Sequence, residues 1–419
     1  MKRIKCLIFG LLAVAGIGMV SNTAKATEYS NMVAHAPYIF ANSSLDSNGN
    51  TVIAWEGGAT QTADPAVEVG YEMQLATNQD FKDAKTYLVK DSMLQLNKSV
   101  FGSQGGNFYL KVRVVVDYTD ETKEDLYSEW SDVCEMTFVK ISKKNFPGIY
   151  KILLNGSKYN GVNKVEKLIF DKNKDGWLDA KEINELTSFT TLDETKKKKG
   201  KSKLIKAPTI SNLKGIEYLK KLSTLSLARY SGKTVDLTKN NIDYVWVREI
   251  TAKQFTLKAP DAKYIHLEAA HDGKTMKMDT STCKNVVDLS VYGNKKTKTV
   301  KLPKNKENLK ILSVSNLKIK SLNANAYEKL QQLYVYDCDV KKVQVNKCKD
   351  LRYIYFYYCD NIKSLDLKAN KKLRGADFYH STGLTKSTVK KSKSGKYTWN
   401  KGKWWYGTAK YKKDMKDLY

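Results

Sequence analysis

Residues 171–182 read DKNKDGWLDAKE, a stretch that offers an oxygen wherever a hard cation would need one. Asp171, Asn173 and Asp175 fall at loop positions 1, 3 and 5, Gly176 at 6 permits a sharp turn, and Trp177 supplies its backbone carbonyl at 7. Asp179 at 9 serves directly or through water, and Glu182 at 12 closes the shell with both carboxylate oxygens. Calcium takes about six to eight such ligands, and the spacing delivers them. The plainer alternative is a polar turn before a helix. VNKVEKLIF and AKEINELTSF carry apolar residues at helical spacing, so an entering and an exiting helix are expected around the loop. The loop occurs once, which argues against a paired calcium sensor and for a structural Ca2+ brace.

A second set of candidate residues comes from a repeat. The form LxxLxL recurs from Leu222, Ile242, Ala262, Val286, Leu309, Leu330, Leu351 and Leu373, at spacings of 20, 20, 24, 23, 21, 21 and 22. Each unit adds a second short apolar pair, as in TVDL, TVKL or KSL, so one unit makes one coil that buries its apolar residues only against its neighbours. Alternate residues of each strand face outward. Positions two, four and six after each start therefore form columns holding Tyr244, Trp246, Arg248, Tyr264, His266, Glu268, Tyr292, Tyr334, Tyr336, Tyr353, Tyr355, Tyr357, Asp377 and Tyr379. Tyrosine and tryptophan join rigid apolar area to a hydrogen-bonding edge, which suits a protein or glycan ligand. Tyrosine also has high strand propensity, the plainer reading.

The opening MKRIKCLIFGLLAVAGIGMV, followed by Ala24-Lys25-Ala26, has the layout of a cleaved secretory signal, so a secreted or non-covalently surface-associated protein is expected. No later stretch approaches the ~20 apolar residues of a membrane span. Residues 27–140 carry 8 Lys+Arg against 17 Asp+Glu, whereas residues 141–419 carry 60 against 27, mostly on expected turns and outer faces. That basic surface suits an anionic cell-wall polymer, and an exported chain disfavours nucleic acid. Cys134, Cys283, Cys338, Cys348 and Cys359 are odd in number and, in the repeats, fall at ladder positions, which predicts structural thiols rather than a disulfide framework. His35, His266, His271 and His380 stand in no catalytic pattern, so no enzyme is expected.

TVIAWEGG, YEMQLA, YLKVRVVV and YSEWSD, within short alternating strands, resemble a fibronectin type III domain, which implies a β-sandwich over residues 27–142. NFPGIYK, the calcium loop, NLKGIEYLKKL and the repeat LRYIYFYYCDNIKSLDLKANKKL resemble secreted bacterial leucine-rich-repeat proteins and, more distantly, internalins. That resemblance implies a small helical EF-hand-like cap over 143–209 and a leucine-rich-repeat solenoid of about eight coils over 210–395. A signal peptide over 1–26 and a basic aromatic C-terminal cap over 396–419 complete a mainly β chain. The function implied is extracellular binding or adhesion through the aromatic face, the alternative being a wall-associated structural protein held on anionic polymers.

Overall fold

The structure, a computed structural model, describes residues 27–29, 32–58, 67–118, 125–160, 165–198, 201–381, 383–384, 387–390 and 392. The expected signal segment and C-terminal cap lie outside the described residues. The chain divides into two compact units, Met1–Ile141 with Asn173–Glu185, and Ser142–Lys172 with Leu186–Tyr419.

In the first unit, period-two patterns make antiparallel strands. TVIAWE (Thr51–Glu56) buries Thr51, Ile53 and Trp55 and turns the residues between them outward. One sheet runs Trp177–Leu178, Cys134–Lys140, Gly105–Tyr118, Val67–Ala76, Lys85–Val89, with Leu126–Tyr127 on Gly105–Tyr118. The other centres on Thr51–Glu56, flanked by Tyr38–Ile39, Ser44–Leu45 and Met93–Leu96. Ile53, Trp55 and Leu94 from one sheet and Met73, Leu110, Val112 and Phe138 from the other share a single core.

YSEWSD has a definite job in this unit. The Ser128 and Ser131 hydroxyls accept the amides of Val114 and Val112 at 2.9 and 3.0 Å, so they extend the sheet edge by side chain. The Trp130 ring between them is covered by Lys111 Nζ at 4.4 Å and the Arg113 guanidinium at 4.5 Å. Arg113 also lies over Tyr127 and pairs with Glu72.

Two elements differ from the sequence expectation. The entering helix is absent: Val165–Leu168 is a strand paired antiparallel with Ser157–Asn160. Its sequence VEKL places its apolar residues three apart, as a helix would, so the strand is decided by its pairing with Ser157–Asn160 and not by its own pattern. Asn173–Glu185, expected within the cap, groups instead with the first unit, because Leu178 pairs with Val139 and Ala180 enters that unit's core.

The second unit is a β-solenoid. Its front sheet holds nine parallel strands in chain order: β1 (Ser188–Thr190), β2 (Thr224–Leu227), β3 (Tyr244–Ile250), β4 (Tyr264–Ala269), β5 (Asp288–Tyr292), β6 (Ile311–Ser315), β7 (Gln332–Tyr336), β8 (Tyr353–Tyr357) and β9 (Gly375–Asp377). The eight repeats read from the sequence are β2 to β9, in the register set by their apolar residues. Leu225, Val245, Ile265, Leu289, Leu312, Leu333 and Ile354 stack inward from successive strands, each essentially without exposure. The second apolar pairs form short back strands, ordered Thr234–Asp236, Gln254–Lys258, Lys277–Asp279, Thr299–Lys301. That back sheet stops there, and Ser321–Asn323 with Lys342–Gln344 forms a separate pair.

Buried ladders of side chains satisfy the turns between coils. Cys338 and Cys359 lie just past β7 and β8 and direct their thiols to the carbonyls of Val314 and Val335 one coil back, at 3.8 and 3.5 Å; Asn294 and Ser381 do the same to Ala270 and Phe356. A second ladder holds Cys283, Tyr327, Cys348 and Asn370, bonded to Leu257, Pro303, Ala324 and Val345. These thiols are free, and burial pushes them up to about 11 or 12. Among the described residues no helix is long and apolar enough to cross a membrane.

Candidate functional site

The front sheet presents two aromatic groups separated by small residues. On β3 to β5, Trp246 meets His266 edge to face at 5.2 Å, and His266 stacks on Tyr292 at 4.8 Å. Arg248 lies 5.2 Å over Trp246. Burial, and then the charge of Arg248, lower His266 to about 4, so this imidazole is neutral at pH 7. Burial alone raises Asp288 to about 6. Tyr244 is half-buried beside it, and Tyr264 is 49 % exposed.

Ser290, Ser313 and Ser315 on β5 and β6 separate that group from the second, on β7 to β9. Tyr334 and Tyr355 are parallel within 6°, with centroids 4.8 Å apart. Coplanar rings cannot approach so closely, so these two are stacked face to face across neighbouring strands. Tyr353, Tyr355 and Tyr357 follow one another along β8 at 6.3 Å centroid spacings. The rings therefore stand as a palisade, spending their faces on one another.

The palisade narrows the set of residues available to a ligand. Tyr353 and Tyr355, expected on the open face, are 1 % and 4 % exposed. Tyr334, Tyr357 and Tyr379 are half-buried and Tyr336 is 44 % exposed. Two residues missed by the sequence columns join them. Tyr358 and His380 stand seven residues after their repeat starts, Leu351 and Leu373, and adopt left-handed backbone, with φ of 55° and 46°. Glu249, Asn316 and Asp337 share that place and that conformation, which costs a residue with a Cβ on the order of 1 kcal/mol. The result is one interlocked cluster: Tyr358 stacks on His380 at 5.1 Å and meets Tyr336 and Tyr379 edge to face at 5.7 and 5.8 Å. Its signal in the sequence is the left-handed column itself, visible where Asn316 or Asp337 fills it and hidden where an aromatic does.

The loop read as a calcium site lies apart from this face in the chain. Gly176 has φ of 80°, as the turn requires, and Asp171, Asp179 and Glu182 are buried. Within the first unit, Asp179 and Glu182 cap the helix Ala180–Glu185 reciprocally: the Glu182 amide donates to Asp179 Oδ1 at 2.9 Å, and the Asp179 amide to Glu182 Oε2 at 3.3 Å. Asp175 accepts the Trp177 amide at 2.7 Å and pairs with the Lys98 ammonium, while Asn173 accepts the Asp175 amide. Burial raises Asp179 above the usual carboxylate range. The donor types suit calcium, but among the described residues no three acidic, His or Cys side chains are gathered as for a metal ion.

The class of protein so defined is a parallel β-solenoid with an aromatic front sheet. The chain matches no family model and no curated protein. Among solved structures it is similar to one described as "Functional domain of InlJ from Listeria monocytogenes includes a cysteine ladder", at 14 % identity and a TM-score of 0.33 over 63 % of this chain. The match spans 61 % of that structure.

Proposed function

We propose that this chain is an extracellular binding protein whose front sheet recognises a ligand, a protein in preference to a glycan, through the cluster of Tyr336, Tyr357, Tyr358, Tyr379 and His380. The observation that carries the reading is the interlocked, partly exposed aromatic cluster held by strained left-handed residues. Rings stacked on each other offer edges and hydroxyls rather than free faces, which suits side-chain docking better than sugar stacking. Secretion is supported by the opening segment, and the first unit is read as a fibronectin type III-like sandwich that spaces or assists the solenoid. Its shared core and the Trp130 cradle support that reading.

Calcium is retained as a structural ligand of the loop. Within the first unit Asn173, Asp175, Trp177, Asp179 and Glu182 would offer it donors, and Lys98 would have to leave Asp175. The binding reading is tested with Tyr336→Ala/Tyr358→Ala and Tyr264→Ala variants of the secreted chain against extracellular protein and glycan panels. A partner lost at least ~10-fold by the double variant alone, at unchanged melting temperature, supports it. Equal binding by all three chains refutes it.

A further inference from the structure

The opposite side of the solenoid carries a feature that the aromatic face does not use. Val235, Phe255, Met278, Val300, Leu322, Val343 and Leu365 are the leading apolar residues of the back-strand segments. Two residues before them stand Lys233, Lys253, Met276, Lys298, Lys320, Lys341 and Lys363, so six of seven successive coils place a lysine there. All six are exposed, and among the described residues none makes an ion pair; Lys363 reaches only the Asp360 carbonyl. Lys341 and Lys320 are bonded neighbours across coils, the Lys341 amide donating to the Lys320 carbonyl at 3.0 Å.

At several other positions the same solenoid sets an acid beside its lysines. Lys258 pairs with Asp236 and Lys301 with Asp279, each at 3.0 Å and directly opposite in the back sheet. Lys263 with Asp243, Lys349 with Glu328 and Lys372 with Asp350 repeat the alternation on other turns. Like charges opposite one another in a sheet are destabilising. The lysine row lacks the acids that offset repulsion at those positions. Where the back sheet stops, after Thr299–Lys301, a cavity of about 980 Å³ opens, lined by Lys298, Lys318, Lys320 and Lys341 together with Val300 and Leu302. Asp339 is the acidic residue of that lining.

We propose that this row and its cavity form a binding site for a linear anionic glycan with one carboxylate per sugar, laid across the coils. Neighbouring coils are about 4.8 Å apart, so the lysines repeat at roughly the advance of one sugar. One strand of a B-form duplex, with a charge every ~3.4 Å of helix axis, does not match that repeat. The cavity gives a sugar ring room beside the charges. A membrane surface would need exposed apolar residues at the rim, and Val300 and Leu302 are half-buried. The site stands independently of the reading of the front sheet.

The test uses the full secreted chain and immobilised polygalacturonate at physiological salt. Lys298→Gln/Lys320→Gln/Lys341→Gln/Lys363→Gln is compared with an equally discharged control, Lys214→Gln/Lys220→Gln/Lys304→Gln/Lys306→Gln. The row variant is expected to lose binding at least ~10-fold and to show a shallower salt dependence, while the control stays within about twofold. Its ligand-free melting temperature is expected to hold or rise, because the repulsion is removed. Lys320→Glu/Lys363→Glu, which restores alternation, should fold and also lose binding. Equal losses in row and control variants, no binding by the native chain, or equal competition by single-stranded DNA or phosphatidylglycerol vesicles at matched charge would overturn the proposal. A Tyr336→Ala/Tyr358→Ala chain should bind the polymer normally, which separates this site from the front sheet.

Discussion

His266 and Asp288 occupy neighbouring front strands, and burial moves them in opposite directions, to about 4 and about 6. A histidine lowered in the folded state contributes stability present above its unfolded value and lost as pH falls through the range from 6.5 to 4. An aspartate raised in the folded state contributes stability present below 3.8 and lost as pH rises through about 6. The two slopes oppose each other between pH 4 and 6. Asp288→Asn should therefore gain about 1 kcal/mol over the native chain at pH 7 and nothing at pH 3.5, once screening on the partly open face is allowed for. His266→Gln should gain by a similar amount at pH 4 and nothing at pH 7; denaturant titrations at these pH values check both. Burial likewise keeps the thiols of Cys283, Cys338, Cys348 and Cys359 protonated. They should resist iodoacetamide at pH 7 until the chain unfolds, and rapid labelling of the native protein would contradict the ladder assignment.

At the scale of elements, the solenoid was readable because each coil repeats one buried apolar pattern. A period fixed by Leu222 to Leu373 placed every front strand from β2 to β9. Leu333 is fully buried between neighbouring coils, and Leu333→Ala should cost about 2–5 kcal/mol in denaturant unfolding. What the pattern could not supply is anything decided by neighbours outside one repeat. Alternation put Tyr353 and Tyr355 on the open face, but their burial depends on what packs against them after folding. Tyr358 and His380 lay one residue beyond the columns, reached only because the chain turns left-handed there. Val165–Leu168 had too few residues for its spacing to decide between helix and strand. The calcium loop shows the same limit: its oxygens were legible, whereas the Lys98 ammonium on Asp175 comes from a residue far away in sequence.

At the scale of the whole molecule, two stretches of the sequence carry opposite charge, 8 Lys+Arg against 17 Asp+Glu over residues 27–140 and 60 against 27 over residues 141–419. Calcium, if bound at ~10 times Kd, would add about 1.4 kcal/mol to the unit that holds Asn173–Glu185. Chelation should then lower that unit's melting temperature without changing front-sheet binding, and Lys98→Met should strengthen the calcium response by freeing Asp175. An unchanged melting curve in both chains would leave the loop as a helix cap. The central claim is that the aromatic cluster of the front sheet meets a partner, and photo-crosslinking tests it most directly. A benzophenone side chain placed at position 358 should yield specific adducts with an extracellular protein, abolished by Tyr336→Ala, whereas one placed at Lys304 should not. Adducts of equal yield at both positions, or at neither, would contradict it.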